Sequence, residues 1–147
     1  MNMPKSYVIE QSYYFKTPLG KVFQALVDPK MLVKWFLSSA KVEPMKDGDY
    51  AFDWIGGYHM TGKVKNLVPN KSVSFSWSDK LPNGKLAETT ASFKVGKKGH
   101  GTLLRLSHTG FKDPEHFAEC SSRWGYYLTN MKSVLDHATD LRSKYDW

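Results

Sequence analysis

The sequence lacks the features that mark secreted, disulfide-bonded and membrane proteins. Cys120 is the single cysteine among 147 residues, so no internal disulfide can form. No stretch approaches the roughly 18 consecutive apolar residues that a membrane-spanning helix needs. The opening residues 1–6 contain no apolar run, so we expect no secretory signal. These absences together predict a cytoplasmic protein.

Motifs for metals and phosphates are also missing. The five histidines occur in neither an HxxxH nor an HExxH spacing, and there is no cysteine pair. The glycines between Gly96 and Gly101 lie between two predicted strands, a setting that favours a hairpin turn over a phosphate-binding loop. We therefore expect no metal and no cofactor.

The charge balance is basic but dispersed. The formal net charge is +7 and the isoelectric point is about 9.4, values that raise the possibility of nucleic-acid binding. The lysines are scattered along the chain, however, and the densest group is Lys94, Lys97 and Lys98 beside a turn. This distribution is typical of a solvated surface, and we predict no nucleic-acid partner.

Length and composition fit one globular domain, which we place at residues 6–142. Hydrophobic residues make up 41% of the chain and charged residues 24%, as in ordinary globular proteins. Aromatic residues make up 14%, and such side chains suit both a core and the wall of a pocket.

A long amphipathic helix is predicted near the C-terminus. Asp113 is a suitable N-cap, Pro114 suits the first helical position, and Glu115 lies where the helix dipole favours an anion. Gly125 inside the helix costs about 1 kcal/mol relative to alanine. Its presence is explained either by close approach of backbone or ligand or by mere tolerance of the cost. Apolar or small residues recur at steps of three and four: Phe117, Cys120, Ser121, Trp124, Tyr127, Leu128, Met131, Val134, Leu135, Ala138 and Leu141.

The residues before this helix predict strands and two short helices. Residues 7–15 alternate as a strand does, and Thr17 and Pro18 then read as the cap and first residue of a short helix, with a second one starting at Pro29. Later segments alternate too: Met60, Val64 and Val68 share one face. Short turns make consecutive strands antiparallel neighbours. We predict an α+β fold in which a curved antiparallel sheet of about six to seven strands wraps around the C-terminal helix.

The order of motifs resembles the AHSA1-like family (activator of Hsp90 ATPase homologue) of the START-like or SRPBCC superfamily. The resemblance rests on the run Thr17–Pro29, the following Leu32–Phe36, the Gly48 turn into an aromatic strand, Ser74–Trp77, and Trp124 in the terminal helix. It implies a helix-grip fold. It also implies either a small hydrophobic ligand, or a chaperone partner of the Hsp90 type with a role in stress response, or a cyclase-type activity.

The candidate site is a set of residues predicted to face the space between the helix and the sheet. The alternative is that they only fill the core. Alternation turns His108 inward, where it could contact a ligand, act as a general base, or be a core histidine. The predicted ligand-binding residues are Trp35, Trp54, Tyr58, Trp77, His108, Cys120, Trp124 and Tyr127.

Three functions follow as hypotheses. The first is binding of a small hydrophobic or aromatic molecule without catalysis, by a monomer or a homodimer. The second is a protein-interaction module that resembles the Hsp90 ATPase-activating domains. The third is a cyclase-type enzyme with His108 as base, for which the sequence offers no convincing acid or nucleophile.

Overall fold

A computed structural model describes residues 7–143, with the side chain of Ser143 left aside. Residues 1–6 lie outside this range. They include the stretch for which we predicted no secretory signal and residue 6, the first residue of the predicted domain. The elements in chain order are β1 (Tyr7–Phe15), α1 (Leu19–Val27), α2 (Pro29–Trp35), β2 (Ser39–Val42), β3 (Asp49–Asp53), β4 (His59–Val68), β5 (Ser72–Lys80), β6 (Leu86–Lys98), β7 (Gly101–Phe111), α3 (Pro114–His137) and a 3₁₀ turn, η1 (Leu141–Ser143).

The seven strands form one curved antiparallel sheet in the order β1-β7-β6-β5-β4-β3-β2. From β2 to β7 each strand pairs with its successor, as short connections require. The exception is β1, which pairs with β7 and so brings the start of the chain beside its last strand. The sheet and α3 enclose the core. This confirms the predicted α+β helix-grip architecture.

The alternation in β5 shows why these residues form a half-buried strand. Val73, Phe75 and Trp77 are buried and the serines between them are half-exposed. In β4 the alternation changes phase, because the pairing with β5 shifts register between Val64 and Asn66. Val68 is therefore 38% exposed and Leu67 packs against the core instead, so the prediction that Val68 shares a face with Met60 and Val64 is wrong.

The two short helices follow β1 as expected, but one predicted cap is wrong. Asp28 caps α2 by accepting a hydrogen bond from the Lys30 N–H at 2.9 Å. Thr17 does not cap α1, which starts at Leu19 with Pro18 in the N-cap position. The Thr17 hydroxyl instead donates to Asp136 Oδ1 of α3 at 2.7 Å, which ties the start of α1 to the long helix.

The ends of α3 are set by local chemistry. Asp113 accepts a hydrogen bond from the Glu115 N–H and Pro114 is the first helical residue, as predicted. The helix ends at His137, because Ala138 adopts a left-handed conformation with φ 52°. Leu141 therefore lies in η1 and not on the helical stripe. No helix among residues 7–143 combines the length and the apolarity that crossing a bilayer demands.

Candidate functional site: an aromatic cavity with a polar floor

A cavity of about 340 Å³ lies between the N-terminal half of α3 and one end of the sheet. The sheet contributes the turn between β3 and β4, the end of β5 and the loop after it. Ile55 and Tyr58 in that turn are 70% and 40% exposed, so this side is open to solvent. Ligand pockets in proteins typically measure about 300–1,000 Å³, and this cavity falls at the lower end of that range.

Most of the predicted site residues meet at this cavity. Rings of the sheet and of α3 pack against one another in its wall, with 5.2 Å between the ring centroids of Trp77 and Trp124. The Trp54 ring packs against the ring of Tyr58 at the cavity rim, with 5.5 Å between their centroids. The predicted residues that line the cavity are Trp54, Tyr58, Trp77, Cys120, Trp124 and Tyr127.

Trp35, a further predicted site residue, lies behind the cavity wall. It is 1% exposed, its Nε1–H donates to the Ala25 carbonyl at 2.9 Å, and its ring stacks on Phe36 at 4.8 Å. Phe36 is the ring that faces the cavity. The space around Trp35 is a void of about 10 Å³, no more than a single water molecule needs. The expectation that Trp35 lines the cavity is thereby corrected.

His108 also lies outside the cavity wall, although it points inward as predicted. The side chain is fully buried, and Trp124 Nε1–H donates to its Nδ1 at 2.9 Å. Since Nδ1 accepts, Nε2 carries the proton and donates to the Thr89 hydroxyl oxygen at 2.6 Å. Burial lowers the pKa of His108 to about 4, although the charge of Asp79 acts in the opposite direction. A histidine with both ring nitrogens occupied and no cavity exposure is not placed to act as a base.

The floor of the cavity holds a polar cluster that the sequence reasoning missed. Asp79, at the end of β5, is buried, and its Oδ2 lies 2.8 Å from His116 Nε2 and 3.3 Å from Cys120 Sγ. The Tyr58 hydroxyl donates to Asp79 Oδ1 at 3.3 Å. Burial, reinforced by the charge of Asp79, raises the pKa of the Cys120 thiol, so this cysteine is not an activated nucleophile.

A signal for this cluster was present in the sequence. Asp79 continues the buried phase of Val73, Phe75 and Trp77, so the strand alternation places an ionisable residue on the inward face. His116 and Cys120 are four residues apart on α3 and share a face. The cluster becomes visible only when strand phase and helix phase are read together.

The rim of the cavity carries charges of both signs. Glu119 and Arg123, one turn apart on α3, form an exposed ion pair at 3.3 Å, and Lys80 lies across from them at the end of β5. The pKa of Tyr58 is raised, chiefly by burial. The cavity thus passes from a mixed-charge rim through aromatic walls to a buried carboxylate.

The comparison with protein families identifies this architecture. The family model described as "Activator of Hsp90 ATPase homolog 1-like protein" matches residues 16–136. The chain belongs to the AHSA1-like family. Its helix-grip fold is that of START-like domains, and a comparison with curated proteins gave no significant match.

Solved structures agree with the AHSA1-like fold. The chain is similar to the Aha1 dimer of Colwellia psychrerythraea (24% identity, TM-score 0.77, 90% of this chain and 98% of that one). It is similar to protein MLL2253 of Mesorhizobium loti (19%, TM-score 0.80, 90% and 98%) and to the AHSA1-like protein RHE_CH02687 of Rhizobium etli (24%, TM-score 0.70, 93% and 86%). At these identities the likeness concerns the fold.

Proposed function

We propose that this AHSA1-like domain binds a small, largely aromatic or apolar molecule in the cavity between α3 and the sheet. The observation that carries the proposal is the cavity of about 340 Å³ whose walls are rings from both layers. A dry cavity of about 150 Å³ is already large enough for benzene, so this one has room for a guest of one or two rings.

The wall chemistry supports an amphiphilic guest over a pure hydrocarbon. Trp77 and Trp124 are 6% and 4% exposed and offer ring faces, whereas Arg123, Glu119 and Lys80 offer charges at the rim. A guest with an aromatic body and a polar or charged tail would bury its rings and leave its tail in water.

The test uses anilinonaphthalene sulfonate, a fluorescent aromatic sulfonate of suitable chemistry. We expect saturable fluorescence enhancement with the wild type and weakened binding in Tyr58→Ala. Tyr14→Ala is the matched control, because Tyr14 is also 40% exposed but lies on the outer face of β1. Equal affinities in both variants would contradict binding at this cavity. Native mass spectrometry of the protein purified from its own host would show whether a natural compound accompanies it.

A second function, interaction with an Hsp90-type ATPase, is favoured by the description of the matching family. The exposed Ile55 beside the cavity and the exposed Val33 on α2 are apolar contacts that such a partner could cover. Titrating the protein into an Hsp90 ATPase assay tests this function, and an unchanged rate would remove it. The cyclase hypothesis has no comparable support, since it depended on His108 as base.

The assembly state and location belong to the same proposal. The Colwellia psychrerythraea structure is a dimer, which supports a homodimer as the alternative to a monomer for this chain. Sedimentation velocity at several protein concentrations distinguishes the two. We place the protein in the cytoplasm, and cell fractionation tests this location.

A further inference from the structure

The polar cluster at the cavity floor brings together three different side chains that bind transition metals. Asp79, His116 and Cys120 each present one ligand atom, and these atoms all lie within 4.8 Å of one another. All three residues are buried, at 5%, 5% and 3% exposure. Two come from consecutive turns of α3 and the third from β5, so the ligands are held by regular elements and not by loops.

We propose that Asp79, His116 and Cys120 bind a divalent metal ion of the zinc class. This site goes beyond the proposed binding of an aromatic guest and does not depend on it. It also revises the expectation of no metal, which was based on motifs along the chain and could not detect a ligand contributed by a distant strand.

The two ligand separations that involve Asp79 are close to those of a tetrahedral ion. Zinc–ligand bonds of about 2.0–2.3 Å place neighbouring ligand atoms about 3.3–3.7 Å apart in a tetrahedron. The Asp79–Cys120 separation of 3.3 Å already meets this requirement. The Asp79–His116 separation of 2.8 Å would have to widen by about half an ångström, a change that a side-chain rotation supplies.

Charge favours a divalent ion at this buried position. Binding releases the Cys120 thiol proton to solvent, and the His116 proton moves from Nε2, which faces Asp79, to Nδ1. The resulting thiolate and the Asp79 carboxylate together balance the two positive charges. A neutral site avoids the large cost of burying a net charge.

The site leaves one coordination position free toward the cavity. Structural zinc sites are closed by four protein ligands, whereas sites with three protein ligands keep a position for water or a substrate. The Tyr58 hydroxyl, which donates to the second oxygen of Asp79, is placed to orient that ligand. A guest with a carboxylate, phenolate or imidazole group at its inner end would reach the ion.

The test is a spectroscopic titration of metal-free protein with Co²⁺, a substitute for Zn²⁺. We expect one equivalent to produce a thiolate-to-cobalt charge-transfer band in the near ultraviolet, which added Zn²⁺ removes. Cys120→Ser should lose this band, and no other cysteine can replace the ligand. His116→Gln should weaken Co²⁺ binding by about tenfold or more, since even the loss of an outer-shell partner commonly costs that much.

The chain offers a matched control in a second histidine–carboxylate pair. His59 Nδ1 lies 2.6 Å from Asp53 Oδ1, but both side chains are exposed and neither lines the cavity. We expect His59→Gln to bind Co²⁺ as the wild type does. A wild type without a thiolate band, a band retained in Cys120→Ser, or binding lost only in His59→Gln would each overturn the proposal.

A second measurement needs no variant and so does not depend on how the variants fold. The midpoint of thermal unfolding is measured for the wild type at several Zn²⁺ concentrations. We expect the midpoint to rise with Zn²⁺ concentration, because an ion bound by the folded protein at a preformed site stabilises the fold, and an unchanged midpoint counts against the site. The anilinonaphthalene sulfonate assay reports on the cavity separately, so either proposal can fail while the other succeeds.

Discussion

Titration of His108 should control the stability of the domain in mild acid. Its pKa of about 4 in the folded protein lies below the ordinary value of 6.5, because a charged imidazole would be buried and would lose its acceptor role toward Trp124. The neutral form is therefore favoured by folding. The stabilisation is fully present above about pH 6.5 and is lost as the pH falls toward about 4.

The size of this effect follows from the difference between the two pKa values. Between about pH 7 and pH 4, His108 of the unfolded chain becomes almost fully protonated, whereas in the folded chain it is still half neutral at about pH 4. This difference removes about 3 kcal/mol from the free energy of unfolding. This is a large part of the ~5–15 kcal/mol that stabilises a typical domain. The charges on Asp79 and His116 act on the pKa of His108 in opposite directions.

Other groups with shifted pKa values act in a different pH window. Burial alone would raise the pKa of Asp136, but hydrogen bonds from Lys16 and Thr17 outweigh it and lower that pKa below 3.8. The pKa of Asp140 is lowered in the same way, with burial opposed by Arg142 and Asn130. A carboxylate with a lowered pKa stabilises the fold above its ordinary pKa and loses that effect only at lower pH.

The measurement is urea unfolding at several pH values between about 7 and 4, for the wild type and for His108→Gln. We expect the wild type to lose about 3 kcal/mol more than the variant over this range, whatever the variant's stability at neutral pH. His59→Gln, which removes an exposed histidine, should follow the wild type. Parallel curves for the wild type and His108→Gln would refute the assignment of a neutral, buried His108.

Three further changes test the packing. Gly125→Ala should raise the free energy of unfolding by up to about 1 kcal/mol, because an added Cβ meets nothing within 4 Å in this helix; a loss on urea unfolding would contradict the open space. Gly62→Ala should lower it, because the added Cβ would lie 2.6 Å from Ser76 Oγ and from a carbon of the Tyr50 ring; unchanged thermal stability would refute the clash. Trp35→Phe should cost about 1–3 kcal/mol by leaving the Ala25 carbonyl without its donor, as measured by chemical unfolding, and a neutral result would show that another donor replaces it.

The sequence could predict which face of a strand or helix a residue lies on, but not how close that residue lies to the cavity. The cap Asp113 is local and was predicted correctly, because the residue whose N–H it accepts is two positions away. Strand alternation correctly turned His108 inward, but phase does not say how far it lies from the open end of the sheet. His108 is hydrogen-bonded to Trp124, whose Nε1–H donates to its Nδ1, and does not line the cavity, whereas Trp77 does.

Pairings between distant segments were beyond what the sequence could give. Thr17 has the chemistry of a cap, but the competing acceptor Asp136 lies 119 residues away and binds its hydroxyl. The bulge in β4 arises from the register with β5, and nothing local marks it. The Asp79 cluster likewise depends on how β5 meets α3. A sequence read one element at a time misses contacts of this kind.

One side chain, Phe36 at the end of α2, divides the interior into a filled part and a hollow part. Its ring lies between Trp35 at 4.8 Å on the inner side and Tyr127 and Trp54 at 5.0 Å and 5.4 Å on the cavity side. Behind it lies a void of about 10 Å³, and in front of it lies the cavity of about 340 Å³.

The position of Phe36 limits what the cavity can accept. A long acyl chain would need the interior that this ring closes, whereas a compact aromatic guest needs only the open end. Because the buried Asp79, His116 and Cys120 lie on the floor of that same end, the inner end of a guest would meet polar groups or a metal ion and not hydrocarbon. Shape and floor chemistry therefore both favour a short guest with an aromatic body and a polar inner group over a lipid.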